Sequence, residues 1–276
     1  MQRLLLRDMR NFSVLVPEKE IQRRIVNVLS VYDDLIEVNR RRIAILEEIS
    51  RRLFDEWIIE CRFPASEGVN AGGSRKASLH DLVEDIRDPI LPSQAAPDTP
   101  YVGLEHMPRR STTLTSVGRV DQVESTKLIF HSGDILFGKI RPYFHKVVHA
   151  ASSGVTSSDS IVMRPRCAEF GPLAICLVSS DAFVAHAVQT SNGTKMPRAN
   201  WNVLKNYSIT IPPESLLGRF ASIVGAGIEL CSTLAKSNRN LQITRDLLLP
   251  RLISGEIDAN GAERLIEQFT DQAAAE

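Results

Sequence analysis

Apolar residues recur at steps of three and four along two long segments, a spacing that predicts one amphipathic helix in each. In residues 18–60 the predicted seam runs through Ile25, Val28, Tyr32, Leu35 and Asn39, and resumes at Ile43, Leu46, Leu53 and Trp57. In residues 213–258 it runs through Val224, Gly227, Cys231, Leu234, Asn238, Leu241, Arg245, Leu248 and Leu252. A helix of about 40 residues is roughly 60 Å long, too long for a small domain to cover, so we expect the two helices to pair as an antiparallel coiled coil. Two separate amphipathic helices packed on a globular core are the alternative.

Each predicted seam contains one asparagine, Asn39 in the first helix and Asn238 in the second. A polar residue at a seam position lowers stability but specifies the register and the partner of the helix. Asn39 is followed by three consecutive cations, Arg40, Arg41 and Arg42. Such a run is usually a solvated helix face, and its alternative role is a patch that docks a partner or contacts phosphate.

The segment between the helices, residues 61–212, has a different pattern. Short apolar or alternating runs, YVGLE, TKLIF, DILFG, HKVVHA and SIVMRP, predict strands, and PLAICLVSSDAFVAHAVQ predicts a helix near residues 172–189. GVNAGGS, at residues 68–74, is typical of a flexible linker. The predicted fold class is therefore α+β: a mixed α/β domain with short strands, flanked by two long helices. Residues 259–276 are expected to form a flexible tail.

An internal repeat relates the two ends of this middle segment. Residues 8–17 read DMRNFSVLVP and residues 203–212 read VLKNYSITIP, so Asn11 matches Asn206 and Pro17 matches Pro212. Each copy has the pattern of a short strand that ends at proline, and each precedes a long helix.

The charges balance overall, with 33 Lys and Arg against 33 Asp and Glu, but they are unevenly distributed. Residues 61–212 carry 16 basic and 13 acidic side chains and all six histidines, which weakly indicates that this segment meets an anion. The four cysteines form no C-x-x-C pair, no apolar run approaches the length of a membrane span, and the N-terminus lacks a signal peptide. We expect a soluble cytoplasmic chain that contacts no membrane and has no metal site and no cofactor.

The stretch GDILFGKIRPYFHK, residues 133–146, fits the G-x-x-x-x-G-K frame of a phosphate-binding P-loop. Ile140 stands where a P-loop has Ser or Thr, and the residues between the glycines favour a strand. We therefore expect a buried strand that delivers Lys139, Arg141 and Tyr143 to a surface, with both cations on one face and Ile140 on the other. The alternatives are a solvated strand edge and, less favoured, a nucleotide-binding enzyme.

Several runs, in this order and spacing, resemble the specificity subunit of type I restriction–modification systems. They are YVGLEHM, SGDILFGKIRPYFHKV, SSDSIVMRP, NGTKMPRANWNVLKNYSITIPP and LLLPRLISGEI, and together they extend over nearly the whole chain. In that family two recognition domains each read half of a split DNA target. Two long helices separate these domains and dock methyltransferase subunits. Methylation and cleavage belong to those subunits and to a motor–nuclease subunit, so the resemblance implies a non-catalytic chain.

This sequence holds only one recognition domain, and residues 1–17 resemble the end of an upstream one. The resemblance therefore implies a half-length form that reads one half-site. Such a chain would pair with a second copy or with another half subunit.

The resemblance also places double-stranded DNA on the polar segments of the middle domain. Candidate DNA contacts are Arg109, Arg110, Lys139, Arg141, Tyr143, Asn192, Thr194, Lys195 and Arg198. Lysine and arginine neutralise phosphates, and the irregular segments Arg109-Arg110-Ser111-Thr112 and Ser152-Ser153-Gly154 are the candidates for reading bases. A different class of function stays open: an interaction module that dimerises and binds methyltransferase without reading DNA.

Overall fold

The computed structural model describes residues 16–62, 73–193 and 195–264, which form two compact units. The helical unit consists of residues 16–38 and 238–264, and the main unit consists of the described residues between 39 and 237. Two long helices, α1 (Lys19–Phe54) and α6 (Glu214–Ser254), contribute residues to both units. The predicted α+β class is confirmed. Most of the predicted remnant strand, most of the linker, Thr194 and the end of the tail lie outside the described residues.

In the helical unit the parts of α1 and α6 pack antiparallel. Ile25 and Val28 lie in one apolar cluster with Leu252, and Asn238 Nδ2 donates to the main-chain oxygen of Ile36 at 3.3 Å. The prediction that Leu35 lies on the seam is wrong, because Leu35 is 47% exposed whereas Ile36 is 3% exposed. Ile25 and Ile36 are eleven residues apart, close to three turns of 3.6 residues, which keeps both on the packed side.

In the main unit the helix parts are also antiparallel and very close. Ile43 packs against Cys231 and Ala235. A Cβ atom added to Gly227 would lie 3.7 Å from Ser50 Oγ, in ordinary van der Waals contact. An alanine would therefore also fit between the two helices at this position.

Short strands in the main unit form three small sheets. β1 (Arg75–Ser78) pairs with β11 (Ser208–Ile211). A four-stranded antiparallel sheet has the order β2 (Val83–Ile86), β10 (Ser160–Pro165), β7 (Ile135–Gly138), β8 (Val147–His149). A five-stranded sheet has the order β3 (Pro89–Ile90), β6 (Lys127–Phe130), β9 (Gly154–Ser157), β4 (Pro100–Val102), β5 (Gly118–Arg119). In it only β4 and β9 are parallel.

Other α-helices among the described residues include α2 (Leu79–Leu82), α3 (Phe170–Val178), α4 (Asp181–Gln189) and α5 (Trp201–Leu204). The predicted single helix near residues 172–189 is two helices, α3 and α4. Ser179 Oγ donates back to the main-chain oxygen of Ile175 at 2.7 Å, and Ser180 Oγ accepts from Phe183 N at 3.2 Å. Serine side chains compete in this way with the helical main-chain bonds, so α3 ends and α4 starts at this pair.

One apolar stretch of α6 is long enough to be considered as a membrane span by length and composition alone. In the main unit the same helix contributes Leu216, Phe220 and Val224 to the largest apolar cluster. Its apolar residues are therefore used, at least in part, by the core of the main unit, as expected for a core helix.

The burial of the four free cysteines yields a test of the fold. Cys61 and Cys167 are exposed, although partial burial raises the pKa of Cys167, whereas burial raises the pKa of Cys176 to about 12 and that of Cys231 to about 11. Because the thiolate is the reactive species, a thiol reagent at pH 8 should modify Cys61 and Cys167 in the native protein and leave Cys176 and Cys231 intact. Mass spectrometry after labelling measures this, and labelling in guanidinium chloride is the control. Equal modification of all four native thiols would contradict the fold.

Candidate nucleic-acid interface

The proposed DNA-contacting cations follow a buried strand. β7 ends at Gly138, and it is paired on one side with β8 and on the other with β10. The P-loop frame is therefore occupied by a central strand instead of a phosphate-binding turn. The expectation that Lys139 and Arg141 share one face of an extended strand is wrong. Arg141 has a φ of 50°, in the left-handed region, because it precedes a 3₁₀ turn that starts at Pro142.

Main-chain hydrogen bonds join the segment after β7 to a second polar segment. Ala199 N donates to the oxygen of Lys139 at 2.8 Å, and Arg141 N donates to the oxygen of Pro197 at 2.8 Å. Ile140 thereby lies opposite Arg198 in a short antiparallel bridge. Two polar segments that are more than fifty residues apart in sequence are thus adjacent in the fold.

The second segment is a closed loop. Asn192 and Arg198 exchange main-chain hydrogen bonds of 3.1 and 2.9 Å, which close the loop between them. Gly193 has a φ of +94°, and a Cβ atom there would lie 3.3 Å from the oxygen of Met196, so the turn favours glycine. Lys195 at this loop is exposed.

A groove in the main unit brings candidate residues of both segments together. Lys139, Asn192 and Arg198 line it, together with Arg87 and Trp201. Arg198 Nη2 lies 3.6 Å from Asp159 Oδ1, a partly exposed pair that leaves the guanidinium accessible. Burial is the main cause that lowers the pKa of Lys139, opposed by the nearby carboxylate of Asp159. A desolvated ammonium of this kind gains more from a new anion than a fully hydrated one does.

Phe144 forms a platform for the other candidate arginines. The guanidinium of Arg109 lies 4.2 Å from the centroid of the Phe144 ring, and that of Arg141 lies 6.0 Å away. Arg141 Nε is buried, and no hydrogen-bond partner for it is found within the described parts of the chain. Tyr143 packs its ring edge on Phe144 at 4.8 Å and is 51% exposed. Two cations and an aromatic ring are therefore presented together.

Left-handed backbone conformations concentrate at this platform. Arg110, Arg141 and His145 have φ values of 60°, 50° and 54°. Arg110 N donates to the oxygen of His145 at 3.0 Å, and Arg110 Nη2 donates to Asp181 Oδ1 at 2.9 Å. Non-glycine residues in this region store strain, which is typical of functional sites. The hydrogen bond from Arg110 N to the oxygen of His145 joins the loop of Arg109 and Arg110 to the turn at Pro142–Phe144.

Sequence reasoning missed Glu47, which is 9% exposed on α1. Its Oε1 accepts hydrogen bonds from the loop at Ser111, Thr112 and Thr113, at distances from 2.7 to 3.2 Å. The hydroxyls of Ser111 and Thr112 are therefore engaged with α1 instead of pointing freely to solvent as base readers. The spacing in the sequence could have identified Glu47, because it follows the seam residue Ile43 by four positions and so lies on the same face of the helix.

The helix residues with predicted partner roles differ in burial. Asn39 and Asn238 are 8% and 7% exposed, each within its own unit. Arg40, Arg41 and Arg42 are exposed on the first turns of the main-unit part of α1. A role of these arginines in docking stays a prediction.

No protein-family model matches the chain. Over 268 aligned positions, 26% are identical to the MjaIX specificity subunit of a type I restriction enzyme from Methanocaldococcus jannaschii, covering 87% of this chain and 60% of that protein. The EcoDI specificity subunit from Escherichia coli is 24% identical over 217 positions, covering 71% of this chain and 48% of that protein. The chain is related to the specificity subunits of type I restriction enzymes. The resemblance inferred from the sequence runs is thereby confirmed.

A solved structure shares the fold. The crystal structure of the S subunit of a type I restriction–modification system from M. genitalium matches with a TM-score of 0.54 at 19% identity, covering 85% of this chain and 61% of that chain. The chain thus spans only about half to three fifths of the specificity subunits that it matches. These relatives are named as specificity subunits, in agreement with the prediction of a chain that is not itself an enzyme.

The desolvation of Lys139 predicts a pH dependence. Burial disfavours the charged form, so the ammonium should lose its proton at lower pH in the folded chain than in the urea-unfolded chain. Because the unfolded state then binds more protons, stability should rise with pH through this interval. An NMR titration of the Lys139 side chain, assigned with Lys139→Arg, measures the pKa in both states. An equal or higher pKa in the folded chain would contradict the desolvated position.

Proposed function

We propose that the chain is a cytoplasmic, non-catalytic DNA sequence-specificity subunit of a type I restriction–modification complex. Its recognition domain reads one half of a split DNA target, and its long helices dock methyltransferase subunits. The relation to specificity subunits supports the class of function. The arrangement of cations on the main unit supports the location of the DNA surface.

One observation supports this proposal: main-chain hydrogen bonds hold three polar segments of the main unit next to one another. Arg110 N bonds to His145, and Arg141 N and the oxygen of Lys139 bond to the segment at Pro197–Ala199. We infer that these neighbouring segments bring the cations Arg109, Lys139, Arg141, Lys195 and Arg198 within reach of one DNA duplex, although Lys139 and Arg141 do not share one face of an extended strand. Adjacent cations that each neutralise a phosphate release counterions on binding, and an arginine fork can also read guanine.

Removing two of these cations should weaken binding to all DNA. The variant Lys139→Ala with Arg141→Ala loses two phosphate contacts, so the slope of log K against log salt should become shallower by about 1.8. Fluorescence anisotropy with a labelled duplex, titrated at several salt concentrations, measures this. The matched control is Arg75→Ala with Lys76→Ala, which removes the same charge from the exposed residues of β1. An unchanged slope in the first variant, or an equal change in the control, would contradict the assigned surface.

An exposed apolar groove on the helices of the main unit supports partner docking. Leu46, Ile49 and Leu53 of α1 line it together with Ile223 and Leu230 of α6. Ile49, Ile223 and Leu230 are each 46–48% exposed. Contiguous exposed apolar side chains of this kind mark interaction surfaces. We assign the groove to protein partners, in the first place a methyltransferase subunit, which in turn brings the motor–nuclease subunit, and otherwise a second copy or another half subunit.

A charge introduced into that groove should weaken partner binding and leave DNA binding intact. Leu230→Asp should reduce co-purification with the methyltransferase subunit at least tenfold, because burying an unpaired carboxylate is strongly unfavourable. Thr233→Asp is the control, since Thr233 is exposed on the same helix and lines a different cavity. Retained co-purification of Leu230→Asp would exclude the groove as the docking site.

The groove also favours the second candidate function, an interaction module that binds methyltransferase without reading DNA. The two candidates differ in one measurement. A specificity subunit with its methyltransferase should select particular sequences from a random duplex pool. With an interaction module, the recovered duplexes should have the same sequence composition as the starting pool.

A further inference from the structure

Glu47 accepts an unusual number of hydrogen bonds with a single oxygen atom. Its Oε1 lies 2.8 Å from Ser111 Oγ, 2.9 Å from Thr112 N and 3.0 Å from Thr113 N. The hydroxyls of Thr112 and Thr113 lie 3.2 and 2.7 Å from the same oxygen. All five donors come from three consecutive residues of one loop, so the loop forms a concave anion-binding nest around the carboxylate.

A carboxylate in this position constrains the loop more strongly than an apolar contact would. Burying a charge is unfavourable unless hydrogen bonds compensate it, and here the compensating donors are the main chain and hydroxyls of the loop. Each donor must keep its distance and direction to a single atom on a helix. Any displacement of the loop breaks several charge-assisted bonds together, so the loop has one strongly preferred position relative to α1.

The anchored residues lie next to the candidate DNA contacts. Arg109 and Arg110 immediately precede the nest. Arg110 N is bonded to His145, and Arg109 stacks on Phe144. The loop is thus held from two sides, by α1 on one and by the turn after β7 on the other.

We propose that Glu47 is a positioning residue for DNA recognition: its carboxylate on α1 sets the position of Arg109 and Arg110 at the DNA surface. This inference rests on the proposed function. It assigns to a long helix, beyond spacing and docking, a direct influence on how the recognition domain contacts its target.

Glu47→Gln is the variant that tests the role. The amide has nearly the same shape, but it is neutral and replaces one acceptor oxygen with a donor group. With Glu47→Gln, selection of sequences from a random 30-base-pair duplex pool, assayed with the methyltransferase subunit present, should weaken about tenfold, as expected for one displaced arginine contact. The slope of log K against log salt should also become shallower by about one, because one arginine contact is displaced.

Two comparisons distinguish positioning from simple loss of stability. Ile43→Ala opens a cavity in the same helix pair, so it should lower the melting temperature while keeping selection intact at temperatures well below melting. In the background of Arg109→Ala with Arg110→Ala, Glu47→Gln should have no further effect on selection, because the side chains that it positions are gone.

The outcomes are distinct. Wild-type protein that selects no sequence overturns the proposed function itself. Wild-type selection that Glu47→Gln leaves unchanged overturns the positioning role alone. Equal loss in Ile43→Ala, or an additive loss in the arginine-free background, also overturns it. The positioning role is supported if Glu47→Gln weakens sequence selection, Ile43→Ala does not, and Glu47→Gln causes no further loss in the background of Arg109→Ala with Arg110→Ala.

Discussion

The arrangement of the polar loops on the main unit depends on a buried carboxylate that bonds one loop to a helix. Glu47 Oε1 orders Ser111, Thr112 and Thr113, and the main chain of Arg110 then bonds to the turn that contains His145. That turn follows β7, whose extension is bonded to the loop at residues 192–198. A neutral hydrogen bond contributes only about 1 kcal/mol in net terms, and one to a charged group about 1.5–3 kcal/mol. Acting together, these bonds hold the polar loops in one arrangement.

The side chains on this surface are held in ways that free their charges for an anion. Phe144 supports the guanidinium of Arg109 with its ring, and Lys139 sits half-buried with a lowered pKa. Left-handed conformations at Arg110, Arg141 and His145 carry strain that the surrounding hydrogen bonds must offset. Such an arrangement would lower the entropy lost on binding the proposed DNA, because the cations are ordered beforehand.

The long helices combine two tasks in the main unit. One side of the main-unit part of α1 faces α6 and the rest of the main unit through Ile43, Glu47 and Phe54, which are all buried. Another side leaves Ile45 and Ile49 exposed next to an apolar groove. A helix with apolar residues on more than one side is typical of a subunit that buries part of its surface against partner proteins.

Local patterns in the sequence determined the element types: the three-and-four periodicity predicted α1 and α6, and alternation and apolar runs predicted β6, β7 and β10. The seam asparagines Asn39 and Asn238 were also readable, because their seam positions follow from the spacing of neighbours in the chain. Tertiary structure alone decided the pairing of Arg141 with Pro197, the left-handed turn at Arg141, the split at Ser179 and the burial of Glu47. These depend on contacts between residues remote in sequence, or on competition among hydrogen bonds of similar strength, and neither leaves a periodic pattern of residue types.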